Sequence, residues 1–159
     1  MAFSLLTAPS AAASGHSGAS RCAQTAADFI NAPRPNADPT FVISSPLTNA
    51  TTRVASVRFL TGGTVQITAV DSTYTVVGGQ WEFEAGGRNG RKTAGTLNFA
   101  TLITDSTGNT YTTLFAVTDP VCQKGSDRVV QLRGIFTIAT TSPAGQELRG
   151  LPGAYSASR

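Results

Sequence analysis

The sequence predicts an all-β fold, an antiparallel meander of about eight strands forming a small barrel or sandwich, with an extended N-terminal arm. Three observations predict it. Apolar and polar residues alternate in short runs from about Phe41 to Ile138, as in Val57-Arg58-Phe59, Val65-Gln66-Ile67, Trp81-Glu82-Phe83, Leu97-Asn98-Phe99 and Leu132-Arg133-Gly134-Ile135-Phe136. Such alternation sends one side chain into a core and the next into solvent, the signature of an antiparallel sheet with one dry face. Gly-containing turns join the runs, and no helix longer than two turns is credible after residue 31.

The arm comes first, over residues 1–38. Ser10 to Ser20 is almost wholly Ala, Ser and Gly, and Pro33, Pro35 and Pro39 punctuate the stretch before the first strand. Such a segment buries too little apolar surface to fold alone and stays disordered unless something holds it, although Ala23 to Ile30 suits one or two helical turns. Phe3-Ser4-Leu5-Leu6 followed by Ala11-Ala12-Ala13 resembles the second half of a bacterial secretory signal over residues 1–13. It lacks a basic n-region, and its apolar run falls short of the usual length.

The domain proper is expected over residues 39–140, with strands near 40–45, 52–60, 64–70, 73–77, 80–85, 93–104, 110–118 and 128–140. Thr61-Gly62-Gly63 reads as a three-residue loop with Gly63 in the left-handed conformation that a type I turn plus bulge requires. That register pairs Phe59 with Val65 and Val57 with Ile67, all on the dry face. Ser106-Thr107-Gly108 repeats the device and pairs Ile103 with Tyr111, Phe99 with Phe115 and Leu97 with Val117. Two independent hairpins therefore converge on one core. It comprises Val57, Phe59, Val65, Ile67, Trp81, Phe83, Leu97, Phe99, Phe115, Leu132, Phe136 and Ile138.

The hairpin around Asn89-Gly90 is different. A two-residue turn there would oppose Trp81 to Asn98, and a one-residue slip flips every side chain to the wrong face. One extra residue restores Trp81 opposite Phe99, either as a bulge at Gly86-Gly87 or through a longer loop reaching Arg91. The last segment, residues 141–159, carries Pro143, Gly145, Gly150, Pro152 and Gly153 and reads as an extended tail.

Composition bounds the function. Only 13% of the 159 residues are charged, about half the share of an average soluble domain. Thr, Ser, Ala and Gly fill the gap, which suits a sheet that contacts other protein. The net charge of +3 is scattered, too weak for the clustered basic face of a nucleic-acid footprint. No apolar run approaches the length of a membrane span. Cys22 and Cys122 lie too far apart for a metal or redox motif. They are candidates for a disulfide in an oxidising compartment, or for two unrelated buried thiols.

Catalytic signals are sparse. Glu82 and Glu84 share a strand face, as paired glycosidase carboxylates can, but opposite Trp81 and Phe83 that face is the wet one. His16 is the single histidine, so a three-His zinc site is impossible, and it lies in the low-complexity arm. Trp81 belongs to the core in this register. No catalytic residue, cofactor or metal is expected. Arg88, Arg91 and Lys92 crown a hairpin tip as a candidate basic contact.

The wet side carries one unusual feature. Ala100 opposes Leu114, with Leu102 and Ala116 close by, and all four point away from the core. An apolar patch in mid-sheet marks a candidate interface unless the arm or the Leu148–Leu151 tail folds over it. The sequence therefore points to a non-enzymatic structural protein with protein subunits as partners, in a homo-oligomer or a larger assembly. A capsid-decorating or tail component of a bacterial virus is one such role, located in the virion. The alternative is a small secreted bacterial β-barrel, stapled by one disulfide, that binds a ligand or carbohydrate outside the cell.

Overall fold

The computed structural model of the chain describes residues 22–46, 51–86 and 94–159. A short helix α1 (Ala26–Ile30) precedes nine strands: β1 (Phe41–Pro46), β2 (Val54–Phe59), β3 (Val65–Ala69), β4 (Tyr74–Glu84), β5 (Thr96–Asp105), β6 (Thr110–Val117), β7 (Val121–Cys122), β8 (Val129–Thr141) and β9 (Glu147–Ser158). The pairing is antiparallel throughout, in the order β3-β2-β1-β9-β8-β6-β5-β4, with β7 pairing β8 beside this path. The two ends of that order meet. Thr64 bridges Gln80, and the Trp81 N–H donates to the Gly63 carbonyl at 2.7 Å. The sheet is thus a nearly closed barrel, the form that leaves few strand edges free.

The glycine turns set the register as expected. Gly63 and Gly108 both have φ of +84°, a conformation that costs glycine nothing. Phe59 lies opposite Val65, Val57 opposite Ile67, Ile103 opposite Tyr111 and Phe99 opposite Phe115. Trp81 lies opposite Phe99 and Phe83 opposite Leu97, the register that one extra residue in the Asn89-Gly90 hairpin gives. Where its extra residue sits falls outside the described residues.

Three expectations need correction. The runs at 73–77 and 80–85 are one strand, β4, with a register shift between Val76 and Gly78. The two-residue strand β7 is too short to leave a periodic signal and is an addition to the expected set. The expected tail over residues 141–159 is largely strand β9, which pairs β8 on one side and β1 on the other and joins the two halves of the barrel. Its glycines are there for packing: a Cβ on Gly153 would collide with the ring of Phe136. Pro152 lies beyond the stretch that pairs with β1, which ends at Tyr155 opposite Pro46, a position where proline's missing N–H is tolerated.

The arm is held by the rest of the chain: its described part, from residue 22 on, packs over one end of the barrel. Ala23 and Phe29 are fully buried, Phe29 lies 5.8 Å from Phe83 between ring centroids, and the Gly95 N–H donates to the Ala23 carbonyl at 2.8 Å. The Thr25 N–H donates to Asp28 Oδ2 at 2.9 Å, which starts α1. Residues 1–21 fall outside the described residues.

The core is an aromatic stack. The Phe99 and Phe115 rings lie parallel at 4.4 Å, and Phe59, Phe136 and Tyr155 pack at 5.1–5.8 Å around them. Every residue of the expected core lies in it or packs against it. Phe29, Phe41 and Tyr155 join it from the N-terminal segment, from β1 and from β9.

Candidate functional site

The outer faces of β4, β5, β6, β8 and β9 form the most distinctive surface. Because the five strands are in register, their outward residues fall in rows. One row runs Gln80, Ala100, Leu114, Thr137, Pro152, and the next runs Glu82, Asn98, Ala116, Ile135, Ala154. Leu102 lies one row further, opposite Thr112, which faces Ala139. Leu114 is 47% exposed and Ile135 53% exposed. Ala100, Leu102 and Ala116 are half-buried, as small or flanked residues on a sheet face are.

All four candidate interface residues therefore lie together on this face. Sequence reasoning misses Ile135, Ala154 and Pro152. The signal for Ile135 is present in the sequence: Leu132, Phe136 and Ile138 in phase on the dry side force Ile135 outward. Ala154 and Pro152 join the patch only once β9 is a strand. The rows at the centre carry no charge. Glu82 and Glu84 stand exposed at the β4 flank, and Arg133 stands on β8 with Asp119 at 3.7 Å. The Leu148–Leu151 segment is part of β9 and does not fold over the face; Leu151 itself is 58% exposed.

The end of the barrel under the N-terminal segment is tied shut. Cys22 and Cys122 form a disulfide across 100 residues of sequence. An open groove of about 670 Å³ beside it is lined by Cys22, Pro120, Cys122, Ser126 and Asp127. The Arg159 guanidinium stacks 4.2 Å from the Phe41 ring centroid. It donates to the carbonyls of Val129, Phe29, Pro39 and Asp28 at 2.7–3.2 Å. Arg128 donates to the Ala27 carbonyl at 2.7 Å. Arg159 thus satisfies the Asp28 and Phe29 carbonyls that the end of α1 leaves without helical partners, and Arg128 adds a second donor to the Ala27 carbonyl, which the Asn31 N–H already reaches at 3.0 Å. Burial, and then the charge of Arg128, pull the Arg159 pKa down to about 10, which leaves it charged at neutral pH.

At the opposite end, Arg53 lies 5.8 Å and 5.5 Å from the Tyr74 and Tyr111 ring centroids. The Tyr111 hydroxyl donates to Asp105 Oδ2 at 2.9 Å. Asp105 also accepts from Thr107 and Asn109, side chain and backbone, and so closes the β5–β6 turn. The Thr107 hydroxyl, with Asn109 and Tyr111 behind it, holds the Asp105 carboxyl far below the usual carboxylate range.

Trp81 is half-buried against Phe59, and its Nε1 donates to the Leu60 carbonyl at 2.8 Å. His16 and the basic tip of Arg88, Arg91 and Lys92 lie outside the described residues. Among the described residues no group of three or more His, Cys, Asp or Glu is placed to hold a metal ion, and no helix is long and apolar enough to cross a membrane. Comparison with protein-family models, with curated proteins and with solved structures finds no match to this chain.

Proposed function

We propose that this protein is a non-enzymatic structural protein that acts by assembling with other protein subunits through the outer face of β5, β6, β8 and β9. The observation that carries this reading is the uncharged apolar centre of that face, with Leu114 and Ile135 about half exposed over strands whose other side is already packed. A sheet apolar on both sides needs cover on both sides. A role as a capsid-decorating or tail protein in the virion of a bacterial virus fits a charge-poor, Thr-rich domain of this kind. The test is to sediment the native protein and its Ile135→Asp variant. Loss of a faster-sedimenting species in a variant that keeps its β-sheet circular dichroism supports the reading. Identical monomeric sedimentation of both counts against it.

The Cys22–Cys122 disulfide favours a second reading, a small secreted bacterial barrel that binds a ligand or carbohydrate, because such bonds persist in oxidising compartments. Labelling of free thiols in protein taken directly from its native setting separates the two. A bond fully formed there supports export, and two free thiols remove the main argument for it.

A further inference from the structure

We propose that the Cys22–Cys122 bond is a reductant-sensitive latch on the N-terminal segment, whose cleavage by a dithiol frees α1 to leave the end of the barrel while the barrel stays folded. This goes beyond the assembly reading and does not rest on it. The two halves of the bond are anchored differently. Cys122 belongs to β7, which pairs β8 through Val121 opposite Gln131 and Cys122 opposite Val129. Cys22 belongs to a segment that, among the described residues, pairs with no strand before β1 begins at Phe41. Cutting the bond therefore leaves the barrel side in its sheet and the other side on its own contacts.

Those contacts lie at one end of the barrel. Phe29 is buried against Phe83, the Gly95 N–H donates to the Ala23 carbonyl, and Arg128 and Arg159 reach the carbonyls of Ala27, Asp28, Phe29 and Pro39. The helix α1 has five residues, far short of the roughly 12–15 at which an isolated helix is even marginal in water. Its order therefore depends on docking. With the bond intact, an undocked segment is still a loop fastened at Cys22 and at Phe41. With the bond cut it is an arm fastened only at Phe41, and docking it costs more entropy. The loop-entropy model puts the difference at about a hundredfold in the docking equilibrium for a loop of this order.

The bond is also within reach. Cys22 and Cys122 are half-buried, and both line the open groove of about 670 Å³ with Pro120, Ser126 and Asp127. Exchange requires a thiolate to reach one sulfur of the bond, and the groove gives it that path without unfolding. The thiolate of a small dithiol attacks one sulfur, forms a mixed disulfide and expels the other cysteine as thiolate. The second thiol of the reductant then displaces the first cysteine. The reductant leaves as its own disulfide, oxidised by two electrons, and Cys22 and Cys122 carry those electrons and two protons as thiols. Undocking then bares Phe29 and the Phe83 ring beneath it.

The test is amide exchange by NMR on the full chain before and after dithiothreitol, without denaturant. Two amides report the docked segment: Asn31, bonded to Ala27 across α1, and Gly95, held from the barrel side by Ala23. Dithiothreitol should cleave the bond in the folded protein, and both reporters should then exchange about a hundredfold faster. The β-sheet circular dichroism should be unchanged, and the amides of β5 and β6 should remain the slowest to exchange. The variant carrying Cys22→Ser and Cys122→Ser should show the fast exchange at both reporters with no reductant and no response to it. A bond that dithiothreitol cuts only in urea overturns the latch, as do reporters whose exchange is unchanged after cleavage. Loss of the sheet signal on cleavage overturns it too, because the bond then holds the whole fold and not the segment.

Discussion

The two faces of β5, β6 and β8 run through the same residues in alternation, yet they are built for different purposes. Inward, Phe99, Phe115 and Phe136 stack ring on ring, and Leu97, Ile103 and Leu132 fill the space around them. Outward, the alternate positions hold Ala100, Leu114, Ala116 and Ile135, apolar residues with water on one side. The inner face supplies the burial that holds the barrel. The outer face places apolar surface where it contributes little to folding, and that is the argument for a partner. The comparison predicts that stability and association separate cleanly, between residues adjacent in sequence.

The largest effect on stability should come from the staple. Replacing Cys22 and Cys122 with serine releases a constraint spanning 100 residues, and the loop-entropy model gives about 4–5 kcal/mol for a loop of that size. Urea unfolding would show it as a lower midpoint, with a steeper slope as the released unfolded chain exposes more surface. Close behind is Phe115→Ala, which opens a hole in the ring stack and should cost about 3–5 kcal/mol. A loss below about 1 kcal/mol would mean the faces are reversed. Arg159→Ala should cost less, about 1.5–3 kcal/mol, because it strips charged hydrogen bonds from four carbonyls. It should also raise hydrogen exchange in α1 before it does so in β5.

The smallest effect concerns acid. Asp105 has a folded pKa below its unfolded value, so its stabilising contribution is present above the ordinary carboxylate pKa of about 3.9. That contribution is lost as pH falls toward the folded value. Asp38 and Asp71 shift in the same direction through Thr40 and Thr73. The gap in melting temperature between wild type and Asp105→Asn should therefore be full at pH 6 and shrink progressively below pH 4. A gap independent of pH would mean that Asn109 and Tyr111 hold the turn without the carboxylate.

The same contrast between local and long-range order decides how much of the molecule is legible in its sequence. The meander and its register are legible because β-strand alternation is local and Gly63 and Gly108 mark where the chain reverses. The strand β9 is not, because Gly150, Pro152 and Gly153 are turn residues by local rules and belong to a strand only when Phe136 and Ile138 are across from them. The N-terminal segment looks loose in isolation because its order comes from elsewhere in the chain, from Cys122, Gly95 and Arg159. Half of the outer patch is visible from the β5–β6 hairpin alone. The remainder needs β8 and β9 laid beside it, which is long-range pairing that no local pattern encodes.

The most direct test of the central claim compares neighbours on one strand. Leu114→Asp and Phe115→Ala should be measured side by side by thermal unfolding and by sedimentation. Leu114→Asp should change stability by less than about 1 kcal/mol and remove self-association, while Phe115→Ala lowers the melting temperature steeply and, where still folded, associates as wild type does. If Leu114→Asp unfolds the barrel, or leaves association unchanged, the division of labour between the two faces is wrong.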